Sequence, residues 1–345
     1  MNRILELDAL RGIAVLAVVF FHMTMGREEA KYGFKLGVTG VDLFFIISGF
    51  VILLTLEKTK NWRSFLVSRF SRLYPAYWTC VTFTTILGLL ALMLTHKPVP
   101  EGLLVKYIAN MTMLQLYLRQ ADIDGPYWTM IVEVLFYFLM LGIYLKKKLC
   151  KVELIGCILL IITVAYHLSL YTEYLFIHNK IGNWFPLINH FPMFFSGIVF
   201  YKIKFNKPTS FRYLMIGICF LIQYNLFVDG GRSNGFITQS EYGIMISLYM
   251  IIFLLYVNSK LSFIANPMFI FLGDISYSLY LVHQALSLLI IRICDKYFHL
   301  NILIAACIFA LPTALIVATV INKYIEKPAM NYIRIKYKNK IKDRS

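Results

Sequence analysis

The chain has 345 residues, 59% of them hydrophobic and only 15% charged, with a mean hydropathy of +0.69. A soluble chain runs nearer half apolar and a quarter charged, so this composition excludes an ordinary globular protein and points to one dissolved largely in lipid. The net charge of +16 would suit nucleic acid, but the basic residues fall in short connectors between apolar runs, so no nucleic-acid partner is expected.

Hydropathy predicts an all-α, polytopic membrane protein with about ten spans. They fall near 9–25, 36–56, 76–95, 128–145, 153–171, 185–201, 213–228, 242–258, 269–291 and 301–322. No linker or repeat divides the chain, so residues 1–345 are expected to form one transmembrane domain, with a basic tail from about 324. The N-terminus lacks a clean basic region and a cleavage site, so the first run reads as a retained helix. With the N-terminus inside, the inner segments hold Arg3, Lys58, Lys60, Arg63, Lys146, Lys147, Lys148 and the tail up to Arg344. The outer segments hold fewer, among them Arg27, Lys97, Lys106 and Arg232. That asymmetry predicts both termini in the cytoplasm.

The first span, LDALRGIAVLAVVFFHM, carries Arg11 and His22. Eleven residues make three helical turns plus about 20°, so both lie on one face, roughly 16 Å apart along the axis. Arg11 would sit near the cytoplasmic boundary and His22 beyond mid-membrane. A cytosolic molecule held at the first would be reacted at the second. The plainer alternative has each side chain reaching for the nearer surface. An ionisable group deep in a span costs on the order of 3 kcal/mol, which makes it a functional candidate.

The second span, GVTGVDLFFIISGF, offers Asp42 and Ser48 among Gly37, Gly40 and Gly49. The glycines also suit close helix packing, and Asp42 also suits a salt bridge to an outer base. In RFSRLYPAYW, Arg69 and Arg72 share one face just ahead of the expected helix start, an anion site or a positive-inside anchor. Residues 96–127 are apolar but broken by Lys106, Asn110, Gln115 and Arg119, and read as interfacial or re-entrant. Asn110-Met111-Thr112 spells a glycosylation sequon.

GPYWTMIVEVLFY sets Thr129, Glu133 and Tyr137 on one stripe, with Trp128 at the outer interface. Glu133 needs a histidine or arginine partner from another helix. GDISYSLYLVHQALS places Ser276, Tyr280, His283 and Ser287 on one side, with Asp274 before them. His283 there suits a hydrogen bond to a neighbouring helix. In YIEKPAMNY, Pro328 is expected to end the last span, leaving the tail as an inner-leaflet anchor. Cys80, Cys150, Cys157, Cys219, Cys294 and Cys307 show no CxxC or metal-ligand spacing, so inert thiols and no metal are expected.

These segments resemble the membrane-bound acyltransferase-3 family. Its first-helix signature, an arginine or lysine, ten residues and a histidine, is matched by Arg11 and His22. GVDLFFIISGF, RFSRLYPAYW, WTMIVEVLFY, ISYSLYLVH and YIEKPAM resemble the family's later blocks, in order. The resemblance implies a ten-helix acyltransferase of the bacterial inner membrane. It would move an acyl group, most often acetyl, from cytoplasmic acyl-CoA to a hydroxyl of a cell-surface glycan such as a polysaccharide or lipopolysaccharide. Acetyl-CoA is then a donor substrate, with no permanently bound cofactor, and membrane lipid surrounds the chain. Some relatives add an extracytoplasmic hydrolase-like domain, and none is expected here. Under this reading His22 is the general base, with Glu133 behind it and Asp42 in the catalytic set. Arg11, Arg69 and Arg72 hold the donor's phosphates. Ser48, Trp128, Tyr137, Ser276, Tyr280 and His283 give substrate or structural support. The alternative without covalent chemistry is a glycan or lipid transporter or flippase.

Overall fold

A computed structural model describes residues 4–229 and 233–342, so Arg3, Arg232 and Arg344 of the charge pattern lie outside the described residues. Among the described residues every regular element is helical. The chain packs as two compact units, each drawn from discontinuous segments.

The first unit comprises Met1–Val18, Lys35–Thr59 and Val132–Gly273. It contains the start of α1 (Leu5–Thr24), then α2 (Gly40–Lys58) and most of a later helix, Trp128–Leu145. Its packing is dominated by glycines where backbones touch. On α2, Gly49 faces the Phe194 carbonyl of a helix spanning Phe191–Phe205, and Gly197 of that helix faces Ile46 and Phe50. A Cβ on Gly197 would lie 2.8 Å from the Phe50 nitrogen, closer than any real side chain approaches. In lipid, such small-residue contacts supply the dispersion that replaces a hydrophobic driving force. Gly197→Val is therefore expected to cost about 3 kcal/mol or more by overpacking. A thermal-shift measurement on the detergent-solubilised protein would show an unchanged melting temperature if this contact were loose. Gly12 of α1 meets Phe269 and Gly273 in the same manner.

At one end of this unit the basic connectors are engaged by acids. Lys202 meets Glu57 at 2.7 Å, and Arg212 forks onto Glu153 at 2.7 and 2.9 Å.

The second unit comprises Val19–Phe34, Lys60–Ile131 and Asp274–Ser345. Its long member, α3 (Trp62–Leu94), is capped by Asn61, whose side chain accepts from the Ser64 N–H at 2.8 Å. α3 runs unbroken through Pro75. The expected start near residue 76 is thus corrected: Arg69 and Arg72 lie inside the helix, so their anion-binding capacity rests on side chains and not on a helix N-terminus. Residues 96–127 hold a nine-residue helix, α4 (Leu103–Met111), too short to cross a bilayer. It lies on α3 through Trp78 Nε1 to the Met111 carbonyl (2.8 Å) and Tyr74 Oη to the Thr112 carbonyl (3.1 Å). Asn110 is fully buried, donating to the Lys106 and Ala121 carbonyls, so the sequon is not a sugar acceptor in this fold.

We number the remaining helices α5 (Trp128–Leu145), α6 (Val152–Ser169), α7 (Leu175–Trp184), α8 (Phe191–Phe205), α9 (Ser210–Leu226), α10 (Gln239–Val257) and α11 (Pro267–Phe298). The C-terminal run follows as α12 (Ile302–Ile304), α13 (Leu311–Ile321) and α14 (Lys327–Lys342), joined by π-helical turns at Ala305–Ala310 and Asn322–Glu326. Among the described residues, eight helices are long and apolar enough to span a membrane. The spans expected at 185–201 and 213–228 are α8 and α9, of 15 and 17 residues. At 1.5 Å per residue these reach about 22 and 26 Å, short of a full hydrocarbon core.

Pro328 does not end the last helix. It falls in the first turn of α14, where its missing N–H costs little, directly after the wider π turn. The basic tail is accordingly not a free anchor. α14 packs along α3, and Arg334 donates to Ser71 Oγ (3.1 Å) and to the Ser68 carbonyl (3.2 Å).

Candidate functional site

In the second unit, His22 near the end of α1 meets His283 of α11. His22 Nδ1 and His283 Nε2 are 3.1 Å apart, with the rings edge-on at 4.9 Å between centroids. His283 is fully buried, and its Nδ1 faces the carbonyls of Tyr280 (2.8 Å) and Leu279 (3.2 Å). Carbonyls only accept, so that nitrogen carries the proton. Among the described residues no carboxylate partners the ring, and burying an unpaired charge is costly, so His283 is neutral and its Nε2 is an acceptor. His22 must then donate through Nδ1–H, which leaves the basic lone pair on its Nε2. A helix carbonyl two bonds back therefore decides which nitrogen of a half-buried histidine is the base.

The segment 124–127 steadies this arrangement. Within α11, the Leu281 carbonyl and the Ala285 N–H face one another across a turn. Tyr127 Oη donates to that carbonyl at 3.2 Å, and Asp124 accepts from that N–H at 3.2 Å. Both grips flank His283. Tyr280 Oη meets Thr129 Oγ1 at 3.0 Å and donates to the Pro126 carbonyl at 3.3 Å. Ser287, one turn beyond His283, is fully buried, and its hydroxyl has no hydrogen-bond partner among the described residues. Ser276 is also buried, and Trp128 is half-buried at the start of α5. Asp124 and Tyr127 escaped the sequence reading. The only signal was an acid and an aromatic around a Gly-Pro step.

The same unit carries a cationic cluster. Arg69 is buried, its guanidinium 5.8 Å from the Phe65 ring centroid and its Nη2 3.3 Å from Ser68 Oγ. Arg334 is fixed by Ser68 and Ser71 and lies within electrostatic reach of Arg69 and Arg72. Arg72 in turn acts on Glu326, which accepts from Ser278 Oγ (2.7 Å) and Asn322 Nδ2 (3.2 Å). Lys327 pairs with Asp274. Three guanidiniums, two on adjoining turns of α3 and one on α14, repel one another and suit a multiply charged anion that accepts forked hydrogen bonds. Arg334 was hidden because its tail reads as a lipid-surface anchor.

In the first unit, Arg11 meets Asp8 at 3.3 Å, one helical turn away. Glu133 accepts from Ser48 Oγ at 3.2 Å and from Tyr137 Oη. Asp42 accepts from Tyr242 Oη, whose oxygen in turn accepts from Gln223 Nε2 at 3.0 Å. Among the described residues no group of three histidine, cysteine or acidic side chains could hold a metal ion.

Residues 4–322 match the family model described as "Acyltransferase domain" of acyltransferase-3 type. The chain is 25% identical to a "Putative acetyltransferase ORF330" of Acidianus two-tailed virus, over 79% of this chain and 80% of that one. It is 26% identical to a "Putative O-acetyltransferase" of Staphylococcus aureus strain COL, over 83% of this chain and 51% of that one. It therefore spans about half the length of that relative. A "Putative peptidoglycan O-acetyltransferase YrhL" of Bacillus subtilis strain 168 is 26% identical over 48% of this chain and 28% of that one. No solved structure matches.

Proposed function

The chain belongs to the acyltransferase-3 family, and on that premise we propose that it transfers an acyl group, acetyl foremost, from cytoplasmic acyl-CoA to a glycan hydroxyl. Its setting would be the bacterial inner membrane, with both termini inside and the acceptor a surface or exported polysaccharide. The observation that carries this reading is the His22–His283 pair.

A sugar hydroxyl is a poor nucleophile until its proton is removed. His22 Nε2 takes that proton as the oxygen attacks the thioester carbonyl. The C–S bond then breaks, and the CoA sulfur leaves with the proton returned from Nε2. Between these steps His22 is an imidazolium, and its Nδ1–H points at the acceptor nitrogen of His283. Such general-base assistance is worth about 10²–10⁴-fold. His283 is a positioning residue: it fixes tautomer and ring orientation, as an acid does behind other catalytic histidines.

Arg69, Arg72 and Arg334 would hold the phosphates of the donor, and Arg11 keeps the donor-binding role that the first-helix signature implies. Ser287, a buried hydroxyl one turn from His283, is suited to the acceptor. Glu133, with Ser48 and Tyr137, keeps the supporting role that the family resemblance implies. Asp42, which accepts from Tyr242 Oη, is given no chemical step.

Mass analysis of surface glycans from cells with and without the gene tests the reading. The expected result is an acetyl-sized mass on the glycan that disappears on deletion and returns with the wild-type gene. Unmodified glycan lost from the surface, with no ester difference, would replace the enzyme by a transporter.

A further inference from the structure

Within the first unit, α6 with the turn before it is one of the helices able to span a membrane, and it ends at Ser169. After residues 170–174, α7 (Leu175–Trp184) begins, and its ten residues reach about 15 Å, roughly half a hydrocarbon core. We propose that α7 lies in the surface of the bilayer at that end of α6, with Ile177, Ile181 and Trp184 sunk among the lipid chains.

The side chains of α7 sort into three faces, about a third of a turn apart. The first fastens the helix to α6. His178 is buried, its ring stacked on that of Tyr166 at 4.2 Å between centroids and 8° between planes. Its Nδ1 donates to the Tyr166 carbonyl at 3.1 Å, in the last turn of α6, where carbonyls lack intrahelical partners. Gly182, one turn further on, lets Tyr166 come close: a Cβ there would lie 2.7 Å from the tyrosine oxygen. The second face carries Ile177, Ile181 and Trp184 at i, i+4 and i+7, and they are 47%, 37% and 61% exposed. The third face carries Asn179, Lys180 and Asn183. Phe176, in the first turn, is the one large apolar side chain among them.

A helix held by protein along one face has two faces left, and here one is apolar and one polar, as a lipid–water boundary requires. The depth agrees, because α7 is fastened to the last turn of a spanning helix. So does the chemistry: Tyr171 and Tyr174 stand exposed just before α7, and tyrosine and tryptophan gather where lipid chains meet headgroups. Lys180 borders the apolar stripe, and its long stem can carry the ammonium up to the phosphates. Glu173 balances that charge, so the seating rests on apolar area and does not call for anionic lipid. A sugar would present hydroxyls, to which two isoleucines offer no hydrogen-bond partner. None of these residues is used in acyl transfer, so the proposal is independent of that reading. In the orientation proposed above, the leaflet is the outer one.

The test uses the full-length protein reconstituted in phosphatidylcholine vesicles. Their chains carry bromine, a quencher of tryptophan fluorescence, either near the headgroup or near the chain end. The emission of Trp184 is the difference between wild type and Trp184→Phe. It is expected to be quenched by bromine, more strongly near the headgroup than near the chain end, and far less by iodide placed in the water on both sides. If that variant does not fold, Ile177→Trp adds a reporter on the same stripe, whose extra emission should respond alike. Emission quenched by iodide and untouched by bromine would overturn the proposal and leave the stripe facing water or a soluble ligand. Emission shielded from both quenchers would overturn it as well, setting another protein surface, such as a second copy of this chain, on the stripe.

Discussion

Alanine in place of His22 is expected to lower acyl transfer by about 10²–10⁴-fold while the protein still inserts and folds. The side chain sits near the end of α1 and is half-buried, so its loss leaves the glycine-mediated contacts of that helix intact. What disappears is the ring to which the proposal assigns the proton transfer, with its contact to His283 Nε2. Transfer of labelled acetyl from acetyl-CoA to cell-envelope glycan, measured in membranes with matched protein levels, gives the answer. A normal rate would remove His22 from the chemistry. His283 provides the companion test. His283→Phe keeps the ring volume but removes the acceptor at His22 Nδ1, so kcat should fall with little change in KM for the donor. His283→Gln restores an acceptor oxygen and should recover part of the rate. The pH–rate profile should also move in both variants, a change that a packing role alone would not produce.

The second large effect is expected at Arg334. Arg334→Ala should raise KM for acetyl-CoA by about 10- to 100-fold with kcat nearly unchanged. A charge-assisted hydrogen bond contributes roughly 1.5–3 kcal/mol, and each 1.4 kcal/mol is a factor of ten. The residue is well placed for a uniform binding role: Ser68 and Ser71 hold its guanidinium beside Arg69 and Arg72 on α3. Arg334→Lys should recover little, because an ammonium has no fork to bridge a serine carbonyl and a phosphate. An unchanged KM, measured on initial rates across a donor titration, would return the tail to a purely structural role.

The helical membrane character was legible in the composition, and α1, α2 and α5 in their apolar runs. Misjudged boundaries trace to single residues. Pro75 and the two preceding arginines look like a helix start, yet α3 passes through them, its first half held against α14. Pro328 looks like a stop, yet the π turn before it lets the helix continue. α8 and α9 fall short of a bilayer width, which hydropathy averaged over a window does not register. Of the site, His22 and His283 were each visible as ionisable residues in apolar helices. Their partnership was not, since 261 residues separate them and spacing along a chain carries no information about such a contact. Arg334 was invisible for the opposite reason: a basic residue in a basic tail stands out from nothing.

The π turn at Asn322–Glu326 makes the downstream helix a rotary dial with one extra notch. Excising a single residue from this pentad would let the turn rewind to ordinary pitch and leave everything beyond it close to its present facing, because the wider turn spends one extra residue on about the same arc. Arg334 would then keep its reach to Ser68 and Ser71. One in-frame codon deletion in this stretch would thus be borne better than the same deletion in the ordinary helical turns on either side.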